Sequence, residues 1–142
     1  MENSGYWLAV ETPETWDDAK RKPKGTIGWP TRRRKSVQQI KLGDRIISYM
    51  TKRKRFFAVW EVTKTYHQVP NRVLAGKEYP ECVGVKEIVR PSPETGVSVD
   101  KIRGQLEGFK TKHLSGIVQL SLSRLDHHDG ETIFQALREA SN

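Results

Sequence analysis

Cysteine is almost missing from this sequence: Cys82 stands alone among 142 residues. One thiol excludes an internal disulfide framework and a zinc centre built from several cysteines. Cys82 itself lies in a strand-like run, where a small buried hydrophobe is the expected role. No apolar run approaches the ~20 residues that cross a bilayer, and no membrane partner is expected. Residues 1–10 show no basic stretch leading into a long apolar one. No secretory signal is read there, and a cytoplasmic setting is the expectation. Internal repeats, low-complexity tracts and phosphate-cradling glycine loops are absent as well. Placed acids, bases and nucleophiles are equally hard to assemble. Ser48 and Asp44 have no histidine at a suggestive spacing. His127 and His128, flanked by Asp126 and Asp129, look at first like a metal cluster. They precede a helical pattern, however, where Asp and His are ordinary capping and loop residues. The expectation is a non-catalytic chain with no metal and no cofactor.

What the sequence has in abundance is positive charge. Its formal net charge is +8, a balance that points to nucleic acid. Apolar residues make up 35% and charged residues 30%, which fits a folded chain. The length suits one domain over residues 1–142 with a real core. Residues 20–55 hold 14 of the 25 Lys and Arg residues and a single acid, Asp44. The cations fall in three clusters: Lys20-Arg21-Lys22 with Lys24, Arg32-Arg33-Arg34-Lys35, and Lys52-Arg53-Lys54-Arg55. The third lies between two strand-like runs and reads as a hairpin tip. Gathered on one rim of a sheet, such clusters would contact phosphates and give affinity without sequence information. An acidic protein partner is the other class of ligand such loops suit.

Tyr6–Val10 reads as a first strand. Thr12 can cap a helix starting at Pro13 and running through Trp16 to about Ala19. Residues 21–34 read as a loop, followed by a helical turn around Ser36–Ile40. Arg45–Met50 and Phe56–Tyr66 pair as a hairpin, with Trp60 sharing a face with Phe56, Ala58 and Val62. His67–Lys77 reads as a loop, Tyr79–Val89 as a strand, Ser98–Leu106 as a short helix and Gly116–Leu122 as another strand. Asp129 or Gly130 opens a last amphipathic helix with Ile133, Phe134 and Leu137 on one face. Strands dominate and helices concentrate near the ends, which predicts an α+β fold: a mixed sheet or partly open barrel.

YWLAV at the start, IGWP at 27–30, IKLGDRIISYM at 40–50, FFAVWEV at 56–62 and KEYPECVGVKEI at 77–88 stand in the order seen in EVE domains. The closing SGIVQLSLSRLDHHDGETIFQAL is similar to the ending of that family. EVE domains belong to the PUA-like superfamily and are related to YTH domains. The resemblance implies a PUA-like mixed β pseudo-barrel of about five or six strands flanked by short helices. It also implies a non-catalytic reader of DNA or RNA that accepts one modified base, methylated in the relatives, in an aromatic pocket. Through the family it brings in a nuclease or restriction subunit as a partner. The alternatives it leaves open are a modified-nucleoside hydrolase of the ASCH type and a tRNA- or rRNA-binding module.

A flipped base offers two π-faces for aromatic stacking, at roughly 1–3 kcal/mol per stack. Trp29, between Gly28 and Pro30 and beside four consecutive cations, is the leading candidate. By the resemblance it stands near the first cage tryptophan of YTH domains, with Thr31 as the nearby hydroxyl residue. YTH domains place that hydroxyl directly after the Trp, whereas Pro30 intervenes here. Tyr79, near the second cage aromatic of relatives, and Tyr49, ending the first hairpin strand, are further pocket candidates. Trp7 and Trp60 are candidates too, although their strand patterns favour core; one of Tyr6 and Trp7 is expected to face inward. Trp16 reads as an anchor for its helix. Arg32, Arg33, Arg34 and Lys35 are expected to hold phosphates beside the pocket, and Arg53 and Lys54 the backbone further out.

Overall fold

The computed structural model describes residues 5–110 and 120–141. Its first strand, β1 (Tyr6–Glu11), alternates as a strand should, yet both of its faces are buried: Tyr6 and Leu8 on one, Trp7 and Ala9 on the other. The choice between Tyr6 and Trp7 therefore does not arise, because apolar layers cover both sides of the sheet. Helix α1 (Pro13–Ala19) starts as the sequence predicts. The Thr12 hydroxyl accepts from the Thr15 amide at 3.1 Å, and the Thr15 hydroxyl accepts from the Thr12 amide at 2.9 Å. This reciprocal box, with Pro13 at the first helical position, satisfies amides that the helix start leaves unpaired.

The segment read as a long loop holds a strand, β2 (Thr26–Trp29). A 3-10 turn (Thr31–Arg33) and a short helix α2 (Arg34–Val37) follow it. Next come β3 (Arg45–Met50) and the long β4 (Arg55–Gln68), joined by the basic tip, where Lys52 and Lys54 take positive φ to close the turn. A two-stranded hairpin, β5 (Val73–Leu74) and β6 (Lys77–Glu78), occupies the expected loop after β4. Then follow β7 (Glu81–Val89), β8 (Val97–Ser98), α3 (Val99–Ile102), a 3-10 turn (Arg103–Gln105) and α4 (Glu107–Lys110). β9 (Leu122–Leu125) and α5 (His127–Ala140) close the described chain. Most of the strand expected over Gly116–Leu122 lies outside the described residues; β9 begins at its last position. Helix α5 begins slightly earlier than its apolar stripe suggested, because Asp126 caps it by accepting from the Asp129 amide at 2.8 Å. Asp129 in turn accepts from the Glu107 and Gly108 amides, at 2.7 and 2.8 Å, and so ties the start of α4 to α5.

The main sheet runs β2-β7-β4-β3-β1-β9, with β8 added along β4. β1 and β3 are parallel, and every other pair among the described residues is antiparallel. The sheet curls into a half-barrel of about six strands, as expected for a PUA-like α+β fold. Its outer face packs Tyr6, Leu8, Ile47, Tyr49 and Phe56 against Ile133, Phe134 and Leu137 of α5. Its inner face carries Trp7, Trp29, Ile46, Val62 and Val83, covered by Val37 and Ile40. Strict alternation fails along β4. The pairing shifts between Ser48 and Tyr49, leaving Phe57 as an extra residue, so Phe56 packs on the outer face while Phe57 and Ala58 join Met50 on the inner side. The face expected to be shared by Phe56, Ala58 and Trp60 is thus divided by a bulge.

Candidate functional site

A cavity of about 350 Å³ opens at one end of the inner face, beneath α1. That volume is near the lower end of small-molecule sites, which span roughly 300–1,000 Å³. Each wall follows from local structure. The end of β1 supplies Glu11, and the capped helix α1 supplies Trp16, Ala19 and Lys20. The turn after it supplies Pro23, Lys24 and Gly25, leading into Thr26–Gly28 of β2. Ser48 of β3, Trp60 of β4, and Val85 and Glu87 of β7 form the sheet side. Arg72 and Leu74 close it from the small hairpin, and Arg90 and Pro91 from the loop after β7.

Two tryptophans from different elements thus face one space. Trp60 is half-buried, and its Nε1 donates to Ser48 Oγ at 2.9 Å, which fixes the ring. Trp16 packs edge-on against Phe57, with ring centroids 5.0 Å apart. Gly28 is required here. A Cβ at this position would lie 2.6 Å from Tyr79 O, 2.8 Å from Cys82 Sγ and 2.9 Å from Arg72 Nη1. Glycine therefore lets Arg72 pass against β2. Arg72 Nη2 reaches Thr26 O at 3.4 Å, and Nη1 is buried without a partner among the described residues. Glu11 accepts from the Thr15 hydroxyl at 2.9 Å. Glu11 is half-buried in the cavity wall, and loss of water pushes its pKa above the usual range, against the lowering effects of Thr15 and Arg72.

The residues singled out from the sequence are dispersed by the fold. Trp29 does not line the cavity. The β2–β7 pairing places it opposite Glu81, and alternation turns Ile27 and Trp29 into the inner apolar layer while Gly28 faces Arg72 and Cys82. Trp29 is 3% exposed, and its Nε1 donates to Ser121 O at 3.2 Å. Trp7 is equally buried; its Nε1 donates to Asp44 Oδ2 at 2.9 Å, and Arg124 lies over its ring. Tyr49 is in the outer layer against Phe56, and burial pushes its hydroxyl up to about 12. Tyr79 is half-buried behind Gly28, and burial likewise raises its hydroxyl, the Glu11 charge adding to the effect. Thr31 is exposed on the 3-10 turn. Of the six pocket candidates, Trp60 alone lines the cavity.

The cations also divide. Arg34 is held by buried Glu81, Nε to Oε1 at 3.1 Å, and pins α2 to β7. Tyr66 and Gln68 bind the same carboxylate. Burial pushes Glu81 upward, but its hydrogen bonds from Tyr66, Arg34 and Gln68 together outweigh that effect and hold it below the ordinary carboxylate value. Arg33 Nε donates to Ser121 Oγ at 3.2 Å, and Arg53 pairs with Glu94 at 3.4 Å. Arg32, Lys35 and Lys54 are exposed. Cys82 is buried, and burial raises its thiol pKa away from the reactive thiolate.

The sequence reading missed Glu11, Trp16, Ser48 and Arg72 as a set. Trp16 carried one usable signal, a large aromatic on a seven-residue helix with acids around it. Arg72 carried none, being a single cation inside a loop.

The sequence model of the EVE domain family matches residues 5–136. A hypothetical protein from Leishmania major shares the fold with TM-score 0.65 and 16% identity, over 99% of this chain and 98% of that one. The YTH domain of the Zygosaccharomyces rouxii MRB1 protein, solved in complex with N6-methyladenosine RNA, gives TM-score 0.69 and 12% identity over 96% and 88%. The Pho92 YTH domain, solved in complex with m6A, gives TM-score 0.67 and 11% identity over 97% and 85%. No curated protein matches the chain in sequence.

Proposed function

Because the chain belongs to the EVE domain family, we propose that it is a non-catalytic reader of nucleic acid that takes one modified base into the cavity beneath α1. The observation that carries this reading is the joint exposure of Trp16 and Trp60 to a single cavity of about 350 Å³. Extruding a base from a strand costs a few kcal/mol, and each aromatic stack returns roughly 1–3 kcal/mol. A methyl group on the base adds dispersion contacts in a space walled by Val85, Leu74 and Pro91. Lys20, Lys24 and Arg90 stand at the same cavity, where phosphates flanking the extruded nucleotide would pass. The fold shared with YTH domains solved with methylated RNA supports the reading.

The aromatic role moves in this proposal from Trp29 to Trp16 and Trp60. Trp29 becomes a support for β2. The test is a panel of oligonucleotides, DNA and RNA, with and without base modifications, titrated at two salt concentrations. Affinity is expected to fall steeply with salt for every member, with one modification bound clearly tighter at both salts. Equal affinity across the panel would leave only general polyanion binding and refute the reader function. Turnover of a nucleoside by the purified chain would refute the non-catalytic part.

A further inference from the structure

Two carboxylates line the cavity, and among the described residues neither forms an ion pair. Glu87 is exposed and pairs across the sheet with Trp60, so its side chain stands beside the indole on the same face. Glu11 is half-buried at the end of β1, where the Thr15 hydroxyl donates to it at 2.9 Å. The Trp60 Nε1 hydrogen is spent on Ser48, so this ring presents a ligand with its π-system and no free donor. Trp16 takes Phe57 as its ring partner, and among the described residues the two indoles make no ring contact with each other. The cations of the wall are engaged elsewhere. Lys20 pairs with Asp17 at 3.2 Å, and Arg72 Nη1 is buried beside Gly28, out of the cavity. Lys24 and Arg90 are the cations assigned above to the flanking phosphates.

An indole face is the negative side of a quadrupole, and it attracts cations most strongly where water is excluded. A neutral base stacked on Trp60 is held by dispersion. A base with a fixed positive charge adds attraction to the ring and to the carboxylate at its edge. Resting on the reader function above, we propose that the cavity selects a base bearing a fixed positive charge, with the Trp60 face and the Glu87 carboxylate as its charge-reading elements. The ligand class is then a base alkylated on an imine-type ring nitrogen, since bonding that lone pair to carbon leaves the ring cationic at neutral pH. Methylation of a ring carbon or an exocyclic amine leaves the ring neutral and falls outside the class. Glu11 adds to the selection. Burial makes its carboxylate form costly, and a cation in the cavity offsets that cost. Phosphates lying on Lys24 and Arg90 screen those positive charges from the base.

The experiment uses the full chain and two pairs of methyl isomers set in one oligonucleotide sequence: 1-methyladenine against N6-methyladenine, and 3-methylcytosine against 5-methylcytosine. Within each pair the methyl group changes only its position, and the first member is cationic at neutral pH. Wild type is expected to bind the cationic member of at least one pair about tenfold tighter than its neutral isomer. Glu87→Gln keeps the shape of the side chain and removes its charge. It is expected to cut that preference about fivefold, with the neutral isomer bound within about twofold of wild type. Thermal melts verify that the variant is folded, and the ratio between isomers cancels any uniform loss of active protein. A preference for the neutral isomers, or equal binding within each pair above the unmodified strand, overturns the charge reading and leaves the reader function standing. The full preference kept by Glu87→Gln overturns it as well. Equal binding of every isomer and the unmodified strand, extended across the whole oligonucleotide panel, overturns both.

Discussion

Replacing Trp29 by alanine separates the two roles this residue could have. As a cage aromatic it would be removable with the fold intact. As placed, it is a 3% exposed side chain in the inner apolar layer, on a four-residue strand paired among the described residues with β7 alone. Truncating a buried Trp costs roughly 3–5 kcal/mol in transfer and cavity terms. The lost hydrogen bond from Nε1 to Ser121 O adds about 1 kcal/mol. Against a total stability of roughly 5–15 kcal/mol, this is a large fraction. For a chain of this length 1 kcal/mol corresponds to about 3–5 °C, so the melting temperature is expected to fall by roughly 12–30 °C. Circular dichroism melts of wild type and Trp29→Ala read this directly. A loss of only a few degrees, together with abolished base preference in the oligonucleotide panel, would refute the reasoning and return Trp29 to the site.

Other perturbations address the cavity. Gly28→Ala is expected to displace Arg72 and strain the backbone near Tyr79, costing roughly 1–3 kcal/mol in stability and removing base preference; a melt and the panel check both. Trp16→Leu keeps an apolar contact to Phe57 but loses a π-face, so the modified oligonucleotide is expected to bind more weakly by roughly 1–3 kcal/mol, with the unmodified one little changed. Glu11 supplies a pH signature. Its folded pKa is raised above the unfolded value by burial, so across that window the folded chain keeps a proton the unfolded chain has released. Stability from this group is full below the unfolded pKa and is lost as pH rises through the folded one. Glu11→Gln is therefore expected to melt higher than wild type at neutral pH, with the gap closing near pH ~4; an equal gap at both pH values would place the carboxyl in water.

Long elements with a clear period or cap were legible. Thr12 and Pro13 announce α1, the β3–β4 hairpin shows its basic tip, and Ile133, Phe134 and Leu137 mark α5. The family resemblance rested on such segments and predicted the curled sheet. The cavity was less legible because its residues come from many elements, none of which carries the site alone. Residues 26–29 read as loop because Gly25, Gly28 and Pro30 punctuate them, although Thr26/Gly28 against Ile27/Trp29 is a strand alternation four residues long. That one misreading sent Trp29 to the wrong side. Charge counting misled in a related way, since a run of cations does not say which of them, like Arg34, already has a buried partner.

The bulges in the sheet have a consequence for how such a cavity tolerates change. β7 pairs Val89 with Val59 but Glu87 with Trp60, so Ile88 is an added residue, and Val85 and Val89 serve opposite layers although four apart. Before that point Val85 lines the cavity, and after it Val89 packs in the layer that holds α5. Spacing, more than side-chain chemistry, thus assigns each residue its compartment. Exchanging Trp60 for another aromatic alters the grip of the cavity, whereas deleting one residue at Ile88 sends the neighbouring side chains to the wrong compartment. Across descendants of this chain, strand length should therefore drift far less than the identity of the ring that faces the ligand.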